Sequence, residues 1–468
     1  MKRTKIVCTI GPASWDYKTL KELARSGMDV ARLNFSHGFY EEKSEQIKHL
    51  RQVSQELNKP IAIIADMSGP KIRLGEFAGV KEIKKGDEIV LCLNPQTESE
   101  LPMQFDLSPF VKKGQRIFLN DALVELVVQE VRGKNIKTKA QNNGWVSSHK
   151  GVNIPDTRLK GAVFTQKDQE DAEFALKARV DYLAVSFIQT AEDMLSAKGL
   201  IKRFSPRTQI IVKIEKAEAV NNLEKIIEAT DAVMVARGDL AIETKLELVP
   251  LIQQKIIRLS RQNKKPVIIA TQMLESMIEN PRPTRAEVSD VANAVLDQVD
   301  AVMLSAESAS GKYPLEAVQT MQDVITSVEE NPEYKHYFKI NWEQVSKKEL
   351  PFNAIAASAA SLAFRIEAKV IVSATATGNS AKRLSSFRPG SNIVAVTHDK
   401  TTRNQLALGW GIQPFIVKPS KDSDTFWKNI INTLKQNNLV EKKDKVVLVG
   451  GSIVGVSGAT DTIKVVTI

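Results

Sequence analysis

The stretch QIIVKIEKAEAV begins as an apolar, β-type run at Gln209 and then sets Lys213 and Glu215 two residues apart. Side chains alternate across a strand with period two, so this ammonium and this carboxylate point to one side. Similar endings recur: short β-branched runs carry Arg32 and Asn34, Asp66, Ser186, Arg237 and Asp239, Thr271, and Ser305 and Glu307 at or just past their ends. A solvated strand end explains any one of these. Six or more converging on one rim would repel one another without a ligand to neutralise them. The residue types suit phosphoryl transfer, which asks a protein for positioning and charge neutralisation through a divalent ion, cationic side chains and backbone N–H donors. Glu215 and Asp239 offer hard oxygen ligands of the type Mg²⁺ (or Mn²⁺) takes, leaving coordination sites for substrate oxygens and water. Lys213 beside them can stabilise charge on a transferring phosphoryl group or a departing enolate. In ARGDLA, Gly238 permits close backbone approach, and a helix starting near Asp239 would present free N–H groups to an anionic carboxylate or phosphate.

The elements that must position these groups read as alternating strands and amphipathic helices. The runs KIVCTI, DVARLNF, IAIIADM, DYLAVSF, QIIVKIE, AVMVARGD, PVIIATQ and AVMLSAE make eight strands, which imply a closed (β/α)₈ TIM barrel of the α/β class with catalytic groups at the C-terminal strand ends. The helical period disappears between about Lys71 and Asp156, where alternating runs surround Gly and Asn-Asp turns. This is expected to be a small all-β domain inserted in the third βα connection, placed to act as a lid. After a charged, Pro-containing linker, five further runs from KVIVSA to KVVTI suggest an open α/β domain. The expected division is a barrel over 1–70 and 157–345, a lid over 71–156 and a C-terminal regulatory domain over 346–468.

The 468 residues are too many for one ordinary core, and the 43% hydrophobic and 26% charged fractions are those of a soluble globular protein. No window approaches the roughly 20 apolar residues of a membrane span, and the apolar start is too short for a signal peptide, so a cytoplasmic location is expected. Cys8 and Cys92 form no CxxC pair, and the five histidines show no ligand spacing, which argues against zinc. Of the net charge of +10, most is C-terminal: from Pro351 onward there are fifteen Lys and Arg against seven Asp and Glu. Nucleic-acid binding is one reading of this, but with no long basic run and no aromatic interleaving a site for small phosphate anions is at least as well supported. No Walker motif occurs, so a nucleotide would lie between rim and lid, with Arg73 and Lys150 at the lid hinges as phosphate contacts. In VSATATGNSAKRL, a strand, a hydroxyl-rich turn and a helix put Thr375, Thr377, Gly378, Asn379 and Ser380 where they could cradle a phosphate or simply cap a helix.

The motifs TKIVCTIGPAS, MDVARLNFSHG, SGPKIR, KIEKAEAVNNL, VARGDLAIE, IIATQMLESM and NPRPTRAEVSDVANAVLD resemble, in order and spacing, those of the pyruvate kinase family over essentially the whole chain. The resemblance implies phosphoryl transfer from phosphoenolpyruvate to ADP, giving pyruvate and ATP in the last step of glycolysis. It implies Arg32 on the phosphoryl group, Glu215 and Asp239 on the essential Mg²⁺, Lys213 as transition-state stabiliser, and Gly238, Asp239 and Thr271 on the substrate carboxylate region. Thr271 would also help deliver the proton that makes pyruvate, an office that Ser305 or water could equally hold. Asn34, Ser36, Asp66 and the carbonyl of Met67 match a monovalent-cation shell; Asn34, His37, Arg73 and Lys150 match nucleotide contacts. Lys71 stands where many members carry Glu, and the Glu form is associated with K⁺ dependence, so K⁺ is expected not to be required here. The wording of NIPDTRLKGAVFTQKD also departs from the family's. The turn at Thr375–Ser380 resembles the allosteric sugar-phosphate or nucleotide site and GGSIVGVSGAT the adjoining loop, implying a phosphorylated effector; a homotetramer is likewise implied. Two rivals remain: another metal-dependent barrel enzyme of phosphoenolpyruvate or pyruvate, an aldolase or lyase, which would not need a basic-hinged lid, and a basic binding protein without turnover.

Overall fold

The computed structural model describes residues 2–97, 99–157, 164–338, 349–418, 420, 422–451 and 460–468. Eight parallel strands close into a barrel: β1 (Lys5–Ile10), β2 (Val30–Asn34), β3 (Ala62–Asp66), β4 (Tyr182–Val185), β5 (Gln209–Ile214), β6 (Ala232–Ala236), β7 (Val267–Ala270) and β8 (Ala301–Leu304). Each pairs with its sequence neighbour in the barrel, and β8 closes on β1 through Lys5–Ala301 and Ile6–Val302. The period-two pattern divides every strand. Ile6 and Cys8, Ile63 and Ala65, Ile210 and Val212 pack outward with the helices. Val7, Val30, Ile64, Tyr182, Ala184, Ile211, Met234 and Met303 fill the barrel interior.

Helices between the strands begin where the sequence provides side-chain acceptors for orphan N–H groups. Thr165, Thr190 and Thr284 each cap a helix with a reciprocal acidic residue three positions on. The interior is plugged from below by the C-terminal domain, since Ala407 and Leu408 belong to the same buried cluster as the interior strand residues. The Tyr182 hydroxyl donates to the Gln405 carbonyl at 2.7 Å.

Between β3 and β4 the chain leaves the barrel to build two small sheets. One has six strands in the order Val152–Asn153, Arg116–Leu119, Val124–Arg132, Asn135–Ala140, Glu88–Cys92, Glu100–Pro102; the other pairs Gly144–Ser147 with Val80–Ile83. This β unit has its own core, including Leu91, Leu101, Ile117, Leu126 and Val146. The C-terminal domain is a five-stranded sheet ordered Ile412–Ile416, Asn392–Thr397, Val370–Ala374, Lys445–Gly450, Thr462–Thr467. Its last strand runs antiparallel to Lys445–Gly450. Parts of the linker (339–348), of NIPDTRLKGAVFTQKD (158–163) and of GGSIVGVSGAT (452–459) lie outside the described residues.

Candidate active site

The interior-facing parity of each strand continues past the last hydrophobic layer and there turns polar. Thr9 follows Val7, Arg32 follows Val30, Asp66 follows Ile64, Ser186 follows Ala184, Lys213 follows Ile211 and Ser305 follows Met303. These side chains therefore stand on one rim because the period of two is unbroken.

Asp66 lies at its centre, 1% exposed. Its Oδ2 accepts from Arg32 Nε at 2.6 Å, and Arg32 Nη1 donates to Thr9 Oγ1 at 3.0 Å. Lys213 Nζ sits 3.5 Å from Asp66 Oδ1 and 3.6 Å from Glu215 Oε2, and donates to Ser186 Oγ at 2.8 Å. Ser186 in turn donates to the Met67 carbonyl at 2.9 Å. Burial pushes the Asp66 carboxyl up, but Lys213 and Arg32 outweigh it and hold it below its ordinary value. Burial likewise opposes the Lys213 charge, and Asp66 and Glu215 overcome it, so this ammonium is held above the usual lysine range. Glu215, 2% exposed, accepts from the Phe187 backbone N–H at 2.7 Å. Its carboxyl stands above its ordinary value chiefly through burial; Lys213 draws it down, and the Asp239 charge adds to the rise.

That repulsion between Glu215 and Asp239 is what a divalent cation relieves. Among the described residues no cluster of three or more His, Cys, Asp and Glu side chains is gathered for a metal. Two hard carboxylates with coordination left for ligand oxygens fit Mg²⁺, which keeps several such positions. The Asp239 side chain is 38% exposed, and the only cation paired with it among the described residues is Lys71, whose Nζ lies 3.8 Å from Oδ1.

The helix carrying Asp239 starts two residues earlier than the sequence suggests, at Arg237, and runs Arg237–Glu243. Arg237 turns away from the rim to Asp290 at 2.7 Å and the Thr271 carbonyl at 2.7 Å. Thr271 adopts a left-handed φ of 70°, donates to the Ala270 carbonyl at 2.6 Å and accepts the Gly238 N–H at 3.0 Å. A Cβ on Gly238 would meet Thr271 Oγ1 at 3.6 Å, an ordinary contact, so only something approaching from outside the chain calls for glycine there. The buried Glu307 clamps the next turns, accepting from Leu274 N at 3.1 Å and Ser305 N at 2.7 Å, while the buried Ser305 Oγ has no hydrogen-bond partner among the described residues.

The remaining expected site residues are more scattered. Asn34 Oδ1 accepts from Ser36 N at 3.1 Å, and Ser36 Oγ pairs with Ser68 Oγ at 2.6 Å. His37 is exposed. At the lid base, Arg73 donates to the His149 carbonyl at 3.1 Å, and the Lys150 ammonium lies 5.4 Å from the Trp145 ring centre; their recorded partners are lid residues, not rim groups. The lid is also tied to the barrel by Asn153, which donates to Glu243 Oε1 at 3.0 Å. In the C-terminal domain Gly378 has φ 87° and starts the helix Asn379–Ser386. Its N–H is received by Thr375 Oγ1 at 3.0 Å, Ser380 Oγ pairs with Thr460 Oγ1 at 2.7 Å, and Thr377 and Asn379 are exposed.

Residues 1–318 match the family model described as pyruvate kinase, barrel domain, and residues 353–466 the one described as pyruvate kinase, alpha/beta domain. Two curated relatives, the pyruvate kinases of Staphylococcus aureus strains MRSA252 and USA300, are each 39% identical over 471 residues, covering 99% of this chain and 80% of theirs.

Proposed function

The chain belongs to the pyruvate kinase family and transfers the phosphoryl group of phosphoenolpyruvate to ADP, giving pyruvate and ATP; from that premise we propose how its residues divide the work. The observation that carries the assignment is Lys213 held between Asp66 and Glu215 at the end of β5. Its ammonium faces the migrating PO₃ unit and the enolate oxygen it leaves, where fixed positive charge lowers the barrier. Arg32, oriented by Asp66 and Thr9, contacts the phosphoryl group. Glu215 and Asp239 would hold Mg²⁺ or Mn²⁺, which when bound supplies positive charge to substrate oxygens. Gly238 and Thr271 orient the substrate carboxylate. Thr271 commits its own proton to the Ala270 carbonyl. The proton that converts the enolate to pyruvate is therefore assigned to Ser305 Oγ, which has no hydrogen-bond partner among the described residues, or to a water beside it.

Asn34, His37, Arg73 and Lys150 are assigned to the nucleotide, brought to it by lid closure. Asn34, Ser36, Asp66 and the Met67 carbonyl would form a monovalent-cation shell, but the Lys71 ammonium 3.8 Å from Asp239 supplies the charge that K⁺ would otherwise bring, so K⁺ is not required. Thr375, Thr377, Gly378, Asn379 and Ser380 take a phosphorylated effector at a helix start. The enzyme is assigned to the cytoplasm as a homotetramer, with neither membrane nor nucleic acid as partner; among the described residues no helix is long and apolar enough to cross a membrane. The chain is divided, on this reading, into a barrel over 1–70 with 157–345, a lid over 71–156 and a C-terminal domain over 346–468. The test is Mg²⁺-dependent ATP formation from phosphoenolpyruvate and ADP, with and without K⁺ and with fructose 1,6-bisphosphate, ribose 5-phosphate, glucose 6-phosphate and AMP titrated in turn. Strong K⁺ stimulation would overturn the Lys71 assignment, and indifference to all four phosphates the effector assignment.

A further inference from the structure

At the foot of the barrel, remote from the rim, a cleft opens between the segment entering β7 and the C-terminal helix Asn379–Ser386. Five cationic side chains, Arg261, Lys264, Lys265, Lys382 and Arg388, line it with a single carboxylate, Asp300. Three of the cations are already satisfied. Arg388 donates to the Gln298 carbonyl at 2.9 Å and to Asp300 at 2.8 Å. Lys264 pairs with Glu349 at 2.8 Å, and Lys265 donates to the Glu228 and Thr230 carbonyls. Asp300 is also used up, since beyond Arg388 it accepts the backbone N–H groups of Trp410 at 3.0 Å and Val267 at 3.1 Å.

The other two cations have no carboxylate in ion-pair contact among the described residues; Asp231 and Asp300 act on Lys382, and Asp300 on Arg261, only from a distance. Lys382 makes one side-chain hydrogen bond, to Gln209 Oε1 at 2.6 Å, and among the described residues no carboxylate pairs with it. For the Arg261 guanidinium no side-chain hydrogen bond or ion pair is found among the described residues. Burial lowers both, Lys382 to about 8 and Arg261 to about 10, as expected of cations withdrawn from water without an anion. Partly buried charges left in this condition are costly unless something from solution neutralises them.

The space within this half-open cleft measures about 10 Å³, about the least that admits one water-sized particle. A phosphate or carboxylate is larger than this space. We propose that this cleft is a binding site for a monatomic anion, chloride in solution, held by Arg261 and Lys382 at the junction of barrel and C-terminal domain. The anion supplies the missing negative charge where Lys382 reaches across to the first residue of β5.

Crystals of the full chain grown or soaked in bromide test this directly. An anomalous peak within reach of Arg261 and Lys382 is expected, and a cleft without one, in crystals whose surface sites are labelled, overturns the proposal. In solution the parent should unfold at a higher temperature in sodium chloride than in sodium gluconate at equal ionic strength, with the midpoint rising as chloride is added. The substitution Arg261→Met should abolish that difference. A bromide peak without any chloride-specific shift means an adventitious ion only and overturns the site, as does an equal shift with inorganic phosphate. A parent and a variant that respond alike to chloride overturn the role of Arg261.

Discussion

Replacing Lys213 by Met removes the one cation among the described residues that touches both Asp66 and Glu215. At an effective dielectric of about 20, each contact is worth about 5 kcal/mol before desolvation at the observed 3.5 and 3.6 Å. Breaking a buried pair by deleting one partner costs ~3–5 kcal/mol. Because Glu215 already sits above its ordinary value, it can escape the worst of this by taking a proton, so a stability loss near ~3 kcal/mol is expected. On the role proposed for Lys213, against charge that develops only in the transition state, its loss should cut turnover further, by ~10² to 10³. KM for phosphoenolpyruvate should move little. Loss of the nearby positive charge also raises Glu215 further, so Mn²⁺ binding to the variant should need a higher pH than binding to the parent. The sign at the alkaline end is separate: Lys213 is raised above the free value, so its stabilisation is complete below the ordinary lysine range and is lost as pH climbs through its raised value. The variant should lack that loss. Lactate-coupled kinetics, urea unfolding and Mn²⁺ titration read the three effects, and an unchanged kcat would refute the reasoning.

Lys71→Glu exchanges the ammonium 3.8 Å from Asp239 for a carboxylate, and should make activity in choline buffer depend on added K⁺ where the parent's does not; equal responses would defeat the idea. Glu307→Gln keeps the size but sets an N–H₂ against Leu274 N or Ser305 N. It should cost roughly 1–3 kcal/mol in urea unfolding, with kcat falling more than KM changes as the Thr271 and Ser305 turns loosen. Lys5, buried and donating to the Ile412 carbonyl at 2.8 Å, is lowered by burial to about 8. Between that value and the ordinary lysine range the unfolded chain binds more protons, so the parent should gain up to about 3 kcal/mol as pH rises from neutral to about 10. Lys5→Met should flatten this rise in urea midpoints measured at both ends of that range.

The barrel was legible because parity carries both its core and its chemistry. The rule that puts Ile211 inside the barrel puts Lys213 above it, and the same holds for Ile64 with Asp66 and Val30 with Arg32. Groups that support the rim through contacts distant in sequence were not legible. Thr9 steadies Arg32 from 23 positions away. The Phe187 N–H that holds Glu215 belongs to an aromatic residue at φ 60°, a conformation no sequence signal announces. Arg237 looks like a rim cation in sequence, yet it faces Asp290, 53 residues on. Only closure of the barrel, which sets the end of β6 beside that of β7, reveals that partner.

The C-terminal charge excess also has a different distribution from the one sequence suggests. Read along the chain, it points to an anionic effector, but several of the cations serve the domain junction. Arg388 binds Asp300, Lys382 binds Gln209, and Arg403 donates to the Asn58 carbonyl. Arg383 shares Glu349 with Lys264. The turn at Thr375–Ser380 contributes hydroxyls, an amide and backbone N–H groups, none of them charged. The same helix that starts there carries Lys382 to Gln209, the first residue of β5, whose other end presents Lys213. Gln209 is further fixed by Gln405 at 3.1 Å, next to the residues that plug the barrel. The strand bearing the Lys213 ammonium is thus gripped at its foot by the C-terminal domain and at its top by two carboxylates. In the role proposed for Lys213, a charge that meets a moving phosphoryl group must not itself move, and both ends of this six-residue strand are held.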